Sequence, residues 1–263
     1  MSRLWTMRKL VLTRDWLKAF LPIGSVGDDR TWRPMGAGVL FSEPPVVWIV
    51  TAAHVVKGIE QGERAAVLVG NTDGGVGVVD LTRSYEASRI DWCFDSQRDI
   101  AAGLLPRSPN HDIKALDFDE CMCIAEVLPS TQCYTVGCPY AVMGFDPLRA
   151  ATPLVLDGIV AGVNEPELEV YITTPTFPGN SGGPVILVSP AYSPDGRSLV
   201  ARKPLMFAGI VKAYRLVPRP PSAPDQQLPS LHLGVAVAAD AVLQLIDSAG
   251  ARSLFRFARD SSE

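Results

Sequence analysis

An all-β fold of two antiparallel six-stranded β-barrels, with short N- and C-terminal helices, is what the sequence predicts. Three observations lead there. Gly and Pro each occur 22 times in 263 residues, so breakers cut the chain into short segments. From residue 36 onward, short runs rich in β-branched and aromatic residues recur between Gly, Pro, Asn and Asp. These runs follow one another through turn signals, the pattern of a barrel or sandwich rather than of βαβ units.

Composition sets the outer limits. At about 150 residues per domain the length gives between one and two domains, and a chain this long buries enough surface to need no metal or disulfide staple. Hydrophobic residues make up 47% and charged residues 20%, which excludes a disordered protein. Lys and Arg number 24 against 28 Asp and Glu, for a net charge of −4, so no nucleic-acid partner is expected. No apolar run reaches the length of a membrane span. Arg3, Arg8, Lys9, Arg14, Asp15 and Lys18 interrupt any secretory h-region, so a cytoplasmic location is expected.

The elements follow in chain order. Residues 1–22 form an N-terminal extension, helical at least in part over 2–21, where Trp5, Leu12, Trp16 and Phe20 recur at helical spacing with charges between. The stretch Phe20-Leu-Pro-Ile23 is where a first strand can begin. A first barrel over 23–118 takes the runs 39–41, 46–51, 66–69, 76–81, 90–94 and 100–105. The polar, breaker-rich stretch 106–120 links the two β halves. A second barrel over 119–238 takes the runs 134–136, 155–163, 168–173, 185–188, 206–211 and 233–237. Loops follow at 189–203 and 217–230; the second, holding five prolines, is expected to be extended and exposed, and reads as a surface excursion, or as a wall of a substrate site or a contact for a regulator. Residues 239–263 carry a last helix, with Asp240 as its cap, Val242, Leu245, Ile246 and Ala249 on one face, and Gly250 as its stop.

Five cysteines, Cys93, Cys121, Cys123, Cys133 and Cys138, are an odd number and suit reduced thiols in a cytosol. Four of them could in principle ligate zinc, but the i, i+2 spacing of Cys121 and Cys123 is tighter than that of structural sites. Buried free cysteines are the expectation, with no metal and no cofactor.

Two segments carry chemistry. Trp48-Ile-Val-Thr-Ala-Ala-His54 is an apolar strand ending in a histidine, and Pro178-Gly-Asn-Ser181-Gly-Gly-Pro is a glycine-flanked serine. A serine needs an adjacent base to act as a nucleophile, and histidine supplies one near neutral pH. A carboxylate must then hold the imidazole in the right tautomer. Glycines leave room for the N–H groups of Gly179 and Ser181 to converge on an oxyanion. Asp99, in Asp-Ile-Ala-Ala-Gly, is the favoured acid, with Asp112 and Asp95 as alternatives. His111 and His232 lack such context and read as loop or surface residues.

At these residues the sequence resembles the trypsin-like serine peptidases of the chymotrypsin fold, and most of all the bacterial Deg/HtrA-like protease domain. The matching stretches are Gly36-Ala-Gly-Val-Leu, Thr51-Ala-Ala-His54-Val-Val, Asp99-Ile-Ala, Val136-Gly-Cys-Pro, Asp157-Gly-Ile-Val, Gly179-Asn-Ser181-Gly-Gly-Pro and Gly234-Val-Ala-Val. The resemblance implies His54 as general base, Asp99 as its partner, Ser181 as nucleophile, and the Gly179 and Ser181 amides as the oxyanion hole. It implies a protein or peptide substrate cut through an acyl-enzyme. Control is left to loops, a partner or compartment, which makes a regulatory protein a candidate further partner.

There are departures. Asn180 stands where secreted relatives carry the Asp that pairs with a new N-terminus, so activation of that kind is not implied. No PDZ module is expected after the last helix. Pro175, Lys212, Ala213 and Tyr214 are the expected pocket residues. Pro175 does not support a basic-side-chain pocket, and Tyr214 narrows it toward small or medium apolar side chains. Two other classes stay open: a catalytically silent or partner-gated binding module on the same fold, and an α/β-hydrolase esterase. The second needs a helix after Gly-x-Ser-x-Gly, where Val185-Ile-Leu-Val reads as strand.

Overall fold

The computed structural model describes residues 12, 14–27, 31–59, 63–88, 90–138, 153–189, 203–215, 233–248 and 250–252. The first half opens with one helical turn, α1 (Arg14–Leu17), and then forms β1 (Phe20–Val26), β2 (Trp32–Glu43), β3 (Val46–Ala52), α2 (Ala53–Lys57), β4 (Arg64–Gly70), β5 (Val76–Asp80), α3 (Leu81–Ser88), β6 (Cys93–Asp95) and β7 (Ile100–Leu104). The second half holds β8 (Gln132–Gly137), β9 (Leu154–Asn164), β10 (Glu169–Ile172), β11 (Pro184–Val188), β12 (Leu205–Arg215), β13 (Leu233–Ala238) and α4 (Ala239–Ile246). The fold is all-β. The second half is a closed six-stranded barrel in the order β10-β13-β12-β11-β8-β9, and the first is a seven-stranded antiparallel sheet in the order β5-β4-β1-β2-β3-β7-β6. The extra strand is β1, which uses the Phe20-Leu-Pro-Ile23 stretch.

Burial explains why the central strands read as unbroken apolar runs. Every residue of β3 is buried. Its Trp48 and Val50 point into a core that also takes Val136, Ile186, Phe207, Ile210 and Val237 from the second half. Val47 and Ile49 point the other way, into the interior of the first half. A strand covered on both faces has no polar side to alternate with. The barrel strands behave likewise, with Cys133, Val185, Ala208 and Ala236 facing the barrel interior. Phe41 and Phe207 meet edge to face across the halves, with ring centroids 5.1 Å apart. The two halves therefore share one core.

Several local expectations need correction. The N-terminal helix is limited, among the described residues, to α1, and the chain is already in β1 at Phe20; Trp5 lies outside the described residues. Helix α3 follows a run read as strand to residue 81. Asp80 accepts the Arg83 N–H at 2.9 Å, and Leu81 and Tyr85, one turn apart, are buried. The 106–120 link is fastened to the first sheet: the Leu116 N–H donates to Leu40 and the Leu116 carbonyl accepts from Ser42. Asp240 does not cap α4, whose N-cap is Ala238. Its carboxylate instead accepts the Ile124 N–H at 2.7 Å, tying the helix to the segment before β8. The helix ends at Ile246, before Gly250, and Ala249 lies outside the described residues. So do most of the loops 189–203 and 217–230, and His232.

Candidate active site

The pairing of β3 with β7 sets up the first part of the site. Their register places Ala52 opposite Ile100. His54, just past the end of β3 in α2, therefore lies beside Asp99, just before β7. Three bonds fix the pair. The Ala53 N–H donates to the Asp99 carbonyl at 2.9 Å, the His54 N–H donates to Asp99 Oδ1 at 3.0 Å, and His54 Nδ1 lies 2.6 Å from Asp99 Oδ2. Asp99 takes a φ of +60°, a left-handed conformation that Asp tolerates better than most residues. The surrounding bonds hold it there, and strain of this kind collects at functional sites. The other two candidate acids are engaged elsewhere. Asp95 accepts from the backbone and guanidinium of Arg98. Burial works against its charge, but these bonds outweigh burial and hold its carboxyl below the usual range. Asp112 pairs with Lys18 at 2.8 Å.

The second part is a turn. The Asn180 N–H donates to the Phe177 carbonyl at 2.9 Å, closing a turn with Gly179 at φ +100°. Pro178 followed by a left-handed Gly is the sequence signature of a type II turn. A second turn follows, with Gly182 at φ +82° and the Gly183 N–H bonded to the Asn180 carbonyl. Strand β12 clamps it: the Gly182 N–H donates to the Val211 carbonyl at 2.7 Å and the Val211 N–H to the Gly183 carbonyl at 2.8 Å. The N–H groups of Gly179 and Ser181 donate to no acceptor among the described residues. The Cys138 N–H donates to the Gly179 carbonyl, but burial pushes the Cys138 thiol up to about 12, so it is not a competing nucleophile.

A short relay joins the two parts. The Ala37 N–H in β2 donates to the Ser181 carbonyl at 2.8 Å. The Ala37 carbonyl accepts from the Thr51 hydroxyl at 2.6 Å, and Thr51 is fully buried, three residues before His54. A Cβ on Gly182 would collide with both the Ala37 carbonyl and the Thr51 hydroxyl, and one on Gly36 would come within 2.7 Å of the Ser181 carbonyl. The glycines at 36 and 182 therefore let the serine turn sit directly on β2. Thr51 was legible only as part of the motif around His54; its hydrogen bond depends on a contact between β2 and β3 that spacing does not display.

His54 and Ser181 line one cleft of 290 Å³. No hydrogen bond joins Ser181 Oγ to His54 among the described residues. Thr176, Phe177, Pro178, Val211 and Lys212 complete the lining. Of the expected pocket residues, Lys212 is in the wall, while Pro175 is exposed and outside it. Ala213 and Tyr214 pair with Val235 and Gly234 in β13, and their side chains lie outside the described residues. Thr176 and Phe177 were missed as lining, and Pro178 was read only as part of the serine motif, although all three lie in or next to the serine turn.

The model of the trypsin-like peptidase domain matches residues 36–189, more than half of the chain. The chain belongs to the trypsin-like peptidase family. His54, Asp99 and Ser181 all fall within the matched residues. No curated protein matches the chain. Among the described residues of this trypsin-like peptidase domain, no group of three or more His, Cys, Asp or Glu side chains is arranged to hold a metal ion. No helix among them is long and apolar enough to cross a membrane.

Proposed function

We propose that this chain is a serine endopeptidase that cuts a protein substrate in the cytoplasm, with Ser181 as nucleophile, His54 as general base and Asp99 as its orienting partner. The observation that carries this reading is the 2.6 Å His54–Asp99 contact in the cleft that Ser181 also lines. Asp99 holds Nδ1–H, which leaves Nε2 to take the Ser181 proton as Oγ attacks the scissile carbonyl. The Gly179 and Ser181 N–H groups receive the developing oxyanion. The proton then passes to the leaving amine, and water hydrolyses the acyl-enzyme by the same route. The cytoplasmic placement draws on the cysteines: all five are free thiols, the usual state in a reducing compartment. The stretches around His54 and Ser181 favour a relationship to the bacterial Deg/HtrA-like proteases.

One observation favours a partner-gated form: Ser181 Oγ is not bonded to His54 among the described residues. Such bonds often tighten only when substrate is bound. Labelling with a fluorophosphonate tests both forms. The isolated chain is expected to label at Ser181, and Ser181→Ala to abolish both labelling and turnover. Labelling at another serine overturns the assignment. Labelling that needs an added partner identifies the gated form, and silence under every condition identifies a binding module.

A further inference from the structure

Among the described residues, Lys212 and His54 are the only ionisable residues that line the cleft, and no carboxylate does so. Lys212 directly follows Val211, whose backbone clamps the serine turn. Its ammonium reaches across β13 to Glu169 on β10, with Nζ 2.8 Å from Oε1. The register explains the reach, because Val237 on β13 pairs with Glu169 on one side and Ile210 on the other.

Glu169 stands behind the wall. It is 8% exposed and does not line the cleft. Its second oxygen accepts the Tyr171 hydroxyl at 2.9 Å. With an oxygen committed to each neighbour, this carboxylate cannot swing forward into the cleft. An ammonium carries three N–H donors, and Glu169 is the one partner of Lys212 among the described residues. Of the pair, the cationic residue therefore lines the cleft and the anionic one does not. Phe177, 48% exposed, gives an incoming side chain an apolar surface in the same cleft.

We propose that Lys212, held by Glu169, selects protein substrates that place an acidic side chain in this cleft beside the scissile bond. A Glu side chain packs its methylenes on the apolar surface and accepts from the ammonium, a charge-assisted bond. A Lys or Arg side chain meets a like charge instead. This departs from the small or medium apolar preference expected from Tyr214, and it rests on the serine endopeptidase reading above.

The test uses the full chain carrying Ser181→Ala and fluorescent peptides in which each position in turn is Glu, Gln, Leu or Lys, with binding followed by anisotropy. At one position, Glu is expected to bind roughly tenfold tighter than Lys, the size of one hydrogen bond to a charged group. Adding Lys212→Met together with Glu169→Gln removes both charges, so neither is left buried alone, and is expected to erase the ratio. A panel with no Glu preference, a panel that does not bind, or a preference that survives the double change each overturns the proposal. Fluorophosphonate labelling of the unaltered chain reports separately on the endopeptidase. Labelling without an acidic preference sinks only the selectivity, and an acidic preference without labelling sinks only the hydrolysis.

Discussion

The first half holds His54 through a side chain, whereas the second half holds Ser181 through its backbone. Asp99 spends one carboxylate oxygen on the His54 N–H and the other on the ring. Among the described residues the serine turn has no such side-chain anchor. It is fixed by backbone hydrogen bonds to Ala37 of the first half and Val211 of the second, and by glycines with no room for a Cβ. The difference predicts two kinds of sensitivity. In the first half, changing the chemistry of one residue should disable the site and leave the fold intact. In the second, adding a single methyl group should damage both.

The largest effect should come from Gly182→Ala. The new methyl meets the Ala37 carbonyl and the Thr51 hydroxyl, at a φ of +82° that Ala disfavours. We expect a loss of roughly 3 kcal/mol or more, a melting temperature lower by about 10 °C, and no detectable turnover. A variant that melts like the parent would show that the turn relaxes, and the contrast between the halves would fail. Asp99→Asn comes next. It keeps the shape but favours the wrong imidazole tautomer, so kcat should fall by about 10⁴-fold while thermal unfolding moves little. If unfolding moves as far as it does for Gly182→Ala, Asp99 is structural first.

Thr51→Val sharpens the comparison at the relay between the halves. Valine keeps the shape but leaves the buried Ala37 carbonyl without its hydroxyl donor, at a cost of about 1–2 kcal/mol. The Ala37–Ser181 bond should loosen with it, so kcat should drop while KM holds, and Thr51→Ser should restore most of the loss. A change confined to KM would place Thr51 in substrate binding instead.

How much of this was legible in the sequence follows from the range of each interaction. All twelve apolar runs overlap strands, because strand formation leaves its mark in local composition. Glycines and the serine sit in one short stretch, and the turn they form is equally local. Helix α3 was missed because only Leu81 and Tyr85 mark its buried face. The seven-stranded order of the first half depends on β1 inserting between β2 and β4, and its pairing with β4 joins strands distant in the chain. The Lys212–Glu169 pair is invisible for the same reason: its partners sit on β12 and β10, with β13 between them.

The cysteines give the mildest test of the comparison, because they sample the open sheet and the closed barrel separately. Cys93 is half-buried on the edge strand β6, and Cys123 is exposed in the link before β8. Cys133 and Cys138 are buried in the barrel half, where burial, joined at Cys133 by Asp157, pushes both thiols up to about 12. Alkylation requires the thiolate, and at pH 8 a thiol of that kind is ionised in about one molecule in ten thousand. A backbone bond from Ala125 lowers the Cys123 thiol, but its bond to Asp240 and desolvation leave it raised on balance, so exposure is what should let iodoacetamide modify Cys123 first and Cys93 after it. Cys133 and Cys138 should react only at the rate of barrel opening. Raising the pH from 8 to 9 increases the thiolate fraction of the buried pair about tenfold but does not expose it, so its modification should still trail Cys123 until denaturant is added. Peptide mapping of the alkylated chain reads each site separately. If Cys133 kept pace with Cys93 without denaturant, the barrel would open as readily as the sheet edge, and a serine turn held only by its backbone would lose the rigid support assigned to it.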